Sequence, residues 1–467
     1  MAELGQRCPP IDHTLHLSSR PLGESLSAER CPSAIPINLV NIDDLVISRV
    51  NCRTDADLRS RKLKTQPASC YVDRLPPELL CAIFLMCGHT EEEFNYPREN
   101  MFRAYRGRAR NPQLLYSRAA VSLGYVCARW FALTRGFPQL WTMVDICAPE
   151  PCDTANLKRC IRYSSGLPLT MRLHERPYAL PYTRAIIAQA CRNFMRTVAS
   201  VASRWQEISI LSLNESLALE ELLEPLLSVP VDAYRCPQRA TMWRWDAGTN
   251  GPVTVRLWEM FFASPSIRTA QWFAVSLHVP SHALSKLTHI GANHIPPEKI
   301  LELLRHCPQV EVFQVTPNRT IQGNYLCTDV VPALPAPISL PRLRQLMLSH
   351  MPVWTNFFDS ITAPRLDRLD IAYSGVQASA IECMLMRSRA RLSMLAFRYL
   401  YKGTTDGCAA LLRSSPLRHL RILFYEVSSK EGEGVIEDFD PAPVLPSQCG
   451  LITDDFEYAE HTYTLLS

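Results

Sequence analysis

Histidine pairs at helical spacing are the first candidates for chemistry in this sequence. His278 and His282 lie four residues apart, as do Asp12 and His16. On a helix such a pair shares one face, which is a geometry that zinc ligands use. Neither pair has a constellation of cysteines or carboxylates nearby to complete a coordination shell. The spacing therefore predicts ordinary surface or core histidines, and we expect no metal and no other cofactor.

Cysteine is the second candidate for chemistry. The chain has 17 cysteines, an odd number, scattered without a single Cys-x-x-Cys pair. The first residues, Met-Ala-Glu-Leu-Gly-Gln-Arg, lack the apolar stretch of a secretory signal. In such a protein the default state of cysteine is a reduced and buried thiol. The pattern therefore predicts structural cysteines and neither a disulfide framework nor a zinc site.

Glycine-rich catalytic motifs are absent from the sequence. None of Gly-x-Gly-x-x-Gly, Gly-x-x-x-x-Gly-Lys-Ser/Thr, Gly-x-Ser-x-Gly or His-Glu-x-x-His occurs. Phosphate cradles and nucleophile elbows need glycine because the backbone must approach the ligand closely. An enzyme in residues 150–430 is therefore the last-ranked hypothesis. A deep pocket with several perturbed titratable groups would favour it.

Composition places the chain among soluble globular proteins. Apolar residues make up 47%, charged residues 20%, and the net charge is +4. No run approaches the roughly 18 apolar residues that a membrane span needs. Basic residues are spread out rather than concentrated on a face interleaved with aromatics. We therefore expect neither a membrane nor a nucleic acid as a partner.

Two short stretches read as helices with strongly apolar faces. Asp73 suits an N-cap, the prolines that follow suit the first helical positions, and Glu78 favours the positive end of the helix dipole. Four apolar residues continue this first stretch: Leu79, Leu80, Ile83 and Phe84. A second apolar face has three: Val126, Trp130 and Phe131. Helices this short cannot stand alone. They must pack on each other, on a partner, or on both.

These residues match a known pattern. The pattern runs Leu75-Pro76-x-Glu78-Leu79-x-x-x-Ile83-Phe84, then Val126-Cys127-x-x-Trp130, then Leu140-Trp141. It resembles an F-box. Arg162–Arg172 and Ser203–Ile210 resemble the region that follows the F-box in the large F-box families of mushroom-forming fungi. Together the resemblance covers roughly residues 71–425.

The resemblance implies a helical hairpin that docks on the Skp-type adaptor of a cullin ubiquitin ligase. It also implies a C-terminal module that selects a protein target, and a location in the cytoplasm, the nucleus or both. Eight residues are the expected adaptor contacts: Leu75, Pro76, Glu78, Leu79, Ile83, Phe84, Val126 and Trp130. For some of them another role stays open, since Glu78 can cap the helix and Trp130 can belong to the hairpin's own core. The insert 88–112 is longer and more polar than the family pattern.

An apolar-x-x-apolar-x-apolar template recurs through the C-terminal half. Its last seven copies begin 20, 23, 33, 23, 26 and 25 residues apart, and the last three of these steps fall within the roughly 20–29 of leucine-rich repeats. Helix candidates lie between the copies, and strand–helix units too small to bury themselves stack into a solenoid. The predicted fold is therefore α+β or α/β, a helical hairpin followed by an irregular leucine-rich-repeat-like solenoid. The eight copies begin at Trp205, Ile267, Leu287, Val310, Leu343, Leu366, Leu392 and Leu417.

The solenoid model predicts a domain order and a set of target contacts. Residues 1–70 form an arm and linker, 71–146 the F-box, 150–429 the solenoid and 430–467 an acidic tail or loose cap. Polar positions of the template strands would line the concave side. The candidate target-binding residues are Arg344, Gln345, Asp367, Arg368, Ser393, Arg418 and His419.

Three alternatives stay open at this point. The chain could be an interaction scaffold outside the ligase, with an F-box too degenerate to recruit a cullin, and the long insert favours this. Residues 35–50 could form a docking helix or a strand. The basic run at 59–64 reads as a linker or as a nuclear-import signal.

Overall fold

The structure is a computed structural model of the chain. It describes residues 71–88, 117–147, 151–174, 184–212, 218–244, 251–273, 277–317, 331–350, 353–372, 374–398, 404–426 and 441–454. Several regions singled out above lie outside the described residues. They are 1–70, with its apolar stretch and basic run, the insert from 89 onward, and 427–440 and 455–467 of the acidic region.

Helices and strands alternate along most of the described chain. The α-helices are α1 Pro77–Gly88, α2 Ser117–Gly124, α3 Ala128–Gly136, α4 Pro151–Tyr163, α5 Arg184–Ala199, α6 Ala218–Leu227, α7 Pro252–Phe261, α8 Ser281–Leu284, α9 Pro297–Arg305, α10 Thr355–Asp359, α11 Ala378–Ser388 and α12 Thr405–Leu412. The strands are β1 Met143–Cys147, β2 Leu169–His174, β3 Trp205–Ser212, β4 Arg239–Arg244, β5 Thr269–Phe273, β6 His289–Ile295, β7 Val312–Pro317, β8 Ile338–Ser339, β9 Gln345–Ser349, β10 Ile361–Thr362, β11 Arg368–Ala372, β12 Met394–Arg398, β13 Ile422–Glu426 and β14 Gly450–Asp454.

Twelve of the fourteen described strands form one large sheet in which every neighbouring pair is parallel. Its order is β1-β2-β3-β4-β5-β6-β7-β9-β11-β12-β13-β14, and β8 pairs with β10 apart from it. Each strand of the large sheet pairs with the strands that precede and follow it in this chain-ordered series. That order is typical of a solenoid, in which each unit contacts only its neighbours. The expected α/β architecture is confirmed at this level.

Alternate residues of each strand face a continuous core. In β9, Leu346 and Leu348 are fully buried in the same cluster as the helix residues Ile300 and Phe357. Because side chains alternate across a strand, Met347 between them belongs to the opposite face. We call the helix-packed side of the sheet the core face and the other side the second face.

The N-terminal helices share this core. Leu80 and Phe84 of α1 belong to the same buried cluster as Trp141 and Val144 of β1. The helical segment and the beginning of the sheet are therefore packed together, and β1 begins within the range 71–146 that the sequence predicted as the F-box.

The repeat template identifies strands correctly in seven of its eight copies. The final copy is wrong, because Leu417 lies in a 3₁₀ turn, Ser415–His419, that precedes the strand. In β13, Leu423 pairs with Leu395 and Tyr425 with Phe397, whereas Ile422 pairs with Met394 on the second face. The error arises because Leu417, Leu420 and Leu423 are three residues apart, so the template fits two registers. The correct copy is Leu420-x-x-Leu423-x-Tyr425.

Strand β4 was missed by the template. Its core positions are Ala240 and Met242, preceded by Pro237, so it lacks the leucine signal of the later strands. Residues 441–454 are also more ordered than a tail, since β14 pairs with β13 over five positions. For this part of the acidic region the structure agrees with the alternative of a cap.

Two arginines tie successive units together through backbone carbonyls. Arg204 donates to the carbonyl of Leu167, at 3.0 Å from Nε and 2.7 Å from Nη2, and to Ser164 Oγ at 2.6 Å. Arg387 donates from Nη2 to the carbonyls of Phe358 and Ile361, at 2.6 and 2.9 Å. Such charge-assisted bonds satisfy carbonyls left over at helix and loop ends. Arg204 thus links residues 203–210 to residues 162–172.

Burial changes the thiol pKa of two cysteines in this fold. Burial raises the pKa of Cys307 and of Cys408 to about 12, whereas Cys127 and Cys383 are exposed. The thiolate is the reactive form of cysteine, so burial and a raised pKa both suppress reaction.

We therefore predict that, in the native protein at pH 8, Cys307 and Cys408 react with iodoacetamide at least about a hundredfold more slowly than Cys127 and Cys383. Mass spectrometry of timed digests measures the rates. Alkylation in denaturant is the control and should make the four rates similar. Comparable rates in the native protein would contradict the burial of the two thiols.

A glycine sets the distance between α12 and the chain before α11. A Cβ at Gly407 would lie 2.5 Å from the carbonyl oxygen of Val376, a backbone atom that cannot swing away. At Gly136, at the end of α3, a Cβ meets no atom within 4 Å.

Gly407→Ala should therefore lower the free energy of unfolding by about 1–3 kcal/mol, the usual cost of overpacking. Gly136→Ala, the matched control, should leave it unchanged or slightly raised, because alanine restricts the unfolded chain. Urea unfolding followed by circular dichroism compares the two. Equal effects would show that α12 does not pack against Val376 as described.

Candidate functional site

Helices α1 and α3 pack through aromatic and hydrogen-bonded contacts. The rings of Phe84 and Trp130 have their centroids 4.7 Å apart. Arg129 Nη2 donates to the carbonyl of Leu75 at 2.6 Å, which ties the start of α1 to α3. The Sγ of Cys127 accepts the backbone N–H of Trp130 at 3.4 Å and caps α3. This packing fixes which side of α1 remains at the surface.

The other side of α1 presents an apolar row to solvent. Leu79, Ile83 and Met86 follow each other at helical spacing and are all exposed, Leu79 to 52%. Tyr125 and Val126, in the turn between α2 and α3, are exposed as well. A large exposed apolar side chain is ordinary when single, whereas a row on one short helix marks an interaction surface.

The structure divides the eight expected adaptor contacts into two groups. Five are exposed: Pro76, Glu78, Leu79, Ile83 and Val126. Three pack inside the helical unit, Phe84 completely and Leu75 and Trp130 in part. Phe84 therefore departs from the expectation of a surface contact. The reason is its spacing, since Phe84 follows Leu80 by one helical turn and shares its buried side.

The second face of the sheet carries a different set of residues. A stacked aromatic pair, Trp243 and Phe273, has ring centroids 4.3 Å apart at 20°, and Leu211 joins them in a small separate cluster. Two amides of the second face, Gln271 of β5 and Gln314 of β7, flank Gly291 of β6 in the strand register. Both are buried.

Two ionic clusters flank these residues along the second face. On β2–β4, Glu207 lies between Arg172, at 3.2 Å, and Arg239, at 3.0 Å. On β11 and β12, Asp370 lies between Arg368, at 3.6 Å, and Arg398, at 3.2 Å.

In both clusters, one carboxylate forms ion pairs with two arginines. The Arg398 guanidinium also lies 4.7 Å from the centre of the Phe424 ring, within the range of a cation–π contact. A buried carboxylate needs such partners to remain charged.

Four of the predicted target contacts lie at the beginnings of strands rather than along them. Arg344 and Asp367 directly precede β9 and β11, and their carbonyls accept the first bonds of the next strand. Arg418 and His419 lie in the 3₁₀ turn before β13. All four are exposed, whereas Arg368 belongs to the buried ionic cluster around Asp370.

Sequence reasoning missed the residues that occupy the middle of the second face. They are the residues between the last two apolar positions of each template copy: Ser209, Gln271, Gly291, Gln314, Met347, Asp370 and Ala396. The signal was present, because strict alternation assigns this position to the face opposite the core. The predicted target contacts instead occupy the two positions after the first apolar residue of each copy, where the strands begin.

One cavity of about 290 Å³ lies on the helical side, where β5 and β6 end. Its wall is mainly apolar and includes Trp272, Leu277 and Leu303, with His278 and His306 among the lining residues. Within the described ranges, no group of three or more His, Cys, Asp or Glu side chains is placed to hold a metal ion. His282 makes a different contact, from Nε2 to the Phe262 carbonyl at 3.4 Å.

Comparison with known proteins does not assign the chain to a family. No family model matches the chain, and a search of curated proteins finds no significant match.

In the part of the chain that the structure describes, no helix has the length and apolarity to cross a membrane.

Proposed function

We propose that this protein is the substrate receptor of a Skp–cullin–F-box ubiquitin ligase. In this proposal residues 71–146 are an F-box that binds the Skp-type adaptor, and the following sheet and helices are an irregular leucine-rich-repeat-like solenoid that binds a protein target. The protein performs no bond chemistry itself. It raises the local concentration of the target near a recruited ubiquitin-conjugating enzyme, in the cytoplasm, the nucleus or both.

The observation that carries the proposal is the exposed row on α1. Leu79, Ile83 and Met86 leave water only if a partner covers them, while Leu80 and Phe84 already satisfy the packing of the same helix within the chain. Burying one leucine contributes about 1.5–3 kcal/mol. The same helix begins with the Leu-Pro-x-Glu-Leu sequence that resembles an F-box.

The division of α1 into two sides sharpens the set of adaptor contacts. Pro76, Leu79, Ile83 and Val126 are the proposed contacts, and Glu78 acts through the first turn of the helix. Leu75, Phe84 and Trp130 position these contacts, because they hold α1 against α3. Truncating the supporting residues would damage the fold, so they are poor choices for a test of binding.

We predict that the tagged full-length protein co-purifies with a Skp-type adaptor and a cullin, and that Leu79→Asp/Ile83→Asp abolishes both. Losing the burial of two aliphatic side chains should weaken adaptor binding at least about a hundredfold. Val231→Asp is the matched control, since Val231 is exposed to 53% compared with 52% for Leu79 and lies on another part of the chain.

Each outcome of that purification has a distinct meaning. Adaptor recovered without cullin would favour the scaffold alternative over the ligase. Neither protein recovered, with the wild-type chain folded by circular dichroism, would contradict the proposal. Equal loss in the Val231→Asp control would show that any exposed charge disturbs the chain.

A further inference from the structure

The cavity of about 290 Å³ lies beside α8, the shortest of the described α-helices. Helix α8 has four residues, whereas α7 before it has ten and α9 after it has nine. The unit that contains α8 is short as well, since its template copies begin only 20 residues apart, at Ile267 and Leu287. A single helical turn covers much less of the sheet than a helix of nine or ten residues. The cavity therefore follows from the length of this unit.

The wall of the cavity is apolar inside and polar at its entrance. Its apolar side chains are Trp272, Leu277, Val279, Leu284, Ile295, Pro296 and Leu303. Its polar side chains are all exposed and therefore lie at the entrance: His278, Lys299, Glu302 and His306. An apolar interior with a few polar groups is the usual composition of a small-molecule site.

The charges at the entrance neutralise each other. Lys299 Nζ donates to Glu302 Oε2 at 2.8 Å. This hydrogen bond raises the pKa of Lys299 and lowers that of Glu302, so both remain charged at pH 7. The charged residues outside the wall that act on this pair are Glu298 and Arg305, again one of each sign. The entrance therefore favours neither an anion nor a cation.

The surroundings of the entrance favour a free molecule over a macromolecule. A protein partner needs an apolar surface around the cavity to exclude water. Among the described residues, none of the exposed large apolar side chains belongs to the range 277–306. The apolar surface that this part of the chain offers is thus confined to the cavity.

The volume of the cavity limits the size of the ligand. A cavity of about 150 Å³ with an apolar wall holds one benzene molecule. About twice that volume suits a molecule of two fused rings, or about ten to twelve non-hydrogen atoms. Small-molecule sites in proteins begin at about 300 Å³, so the cavity lies at the lower end of their range.

We propose that this cavity binds a free, uncharged small molecule of about that size, with an apolar body inside the cavity and a hydroxyl or carbonyl group at the entrance. The apolar body contacts the inner wall around Trp272 and Leu303. The polar group remains within reach of water and of His278 and His306. The site includes no residue of α1, so this inference does not rest on the proposed function.

The test is calorimetric titration of the full-length protein with 2-naphthol, an uncharged two-ring alcohol. We expect a dissociation constant of about 100 μM or lower, which corresponds to about 0.5 kcal/mol per non-hydrogen atom. Naphthalene-2-sulfonate and 2-naphthylmethylammonium have the same rings with a negative or a positive charge. Both should bind at least about tenfold more weakly, because the paired entrance offers no compensation for the lost hydration of a charge.

A cavity-filling variant tests the location of the ligand. Leu303→Trp places a larger ring in the cavity and should weaken 2-naphthol binding at least about tenfold. Leu222→Trp is the matched control, because Leu222 is also a half-buried leucine on a helix, packs against the same core and lies outside the cavity wall. This control should bind 2-naphthol as the wild type does.

Thermal unfolding of the two variants separates binding from folding. The Tm of Leu303→Trp should equal or exceed that of Leu222→Trp, because the added ring enters empty space. A lower Tm would show that the space does not accept a ring of this size and would overturn the proposal.

Hydrogen–deuterium exchange of the wild type, with and without 2-naphthol, maps the site without any variant. Exchange should slow in peptides covering Ser281–Leu284 and Pro297–Arg305 and stay unchanged in those covering Pro77–Gly88. No binding, equal affinity for a charged analogue, equal binding to Leu303→Trp, or protection only elsewhere would overturn the proposal. A wild-type dimer that Leu303→Trp loses would assign the cavity to a contact between copies and overturn it too.

Adaptor co-purification distinguishes this proposal from the proposed function. Leu303→Trp should retain the adaptor, and Leu79→Asp/Ile83→Asp should still bind 2-naphthol. The failure of either proposal is therefore visible without affecting the other.

Discussion

Pairing of each short strand with its neighbours is the constraint on which the structure depends. A strand of five or six residues joined to a single short helix cannot bury its own apolar side, so it persists only between neighbours. The sheet accordingly runs in near-sequential order from β1 to β14, and its ladder places Leu346, Leu369 and Leu395 side by side in the core. The same strand pairing aligns a second set of residues on the other face of the sheet. Packing of the core does not constrain these residues.

The residues on the two faces of the sheet are therefore subject to different physical constraints. Core positions are constrained by apolar packing, whereas the opposite face of the sheet carries buried polar and charged residues such as Gln271, Gln314 and Asp370. Helix α1 shows the same separation on a smaller scale, with Leu80 and Phe84 turned inward and Leu79 and Ile83 left at the surface. The proposed adaptor surface on α1 therefore consists of the apolar side chains that the core of the chain does not bury.

The α/β architecture was predictable because apolar spacing is a direct consequence of alternation across a strand. Prediction failed where the spacing was ambiguous or weak. Leucines three apart at 417, 420 and 423 fit two registers, and Ala240 and Met242 gave no leucine signal.

The site residues were harder to predict for a physical reason. The inward turn of Phe84 depends on contact with Trp130, which lies 46 residues later in the chain, and the clusters around Glu207 and Asp370 join different strands. Local sequence pattern contains no information about such pairs. It could have assigned Gln314 to the second face, since that requires only the alternation between Phe313 and Val315.

The central claim is that the exposed side of α1 is the adaptor's docking surface. Hydrogen–deuterium exchange of the full-length protein, with and without a purified Skp-type adaptor, measures it directly. Adaptor binding should add protection in peptides covering Pro77–Gly88 and the turn at Tyr125–Val126 and leave the strands β4 to β9 unchanged. Protection confined to the sheet, or none at saturating adaptor, would contradict it.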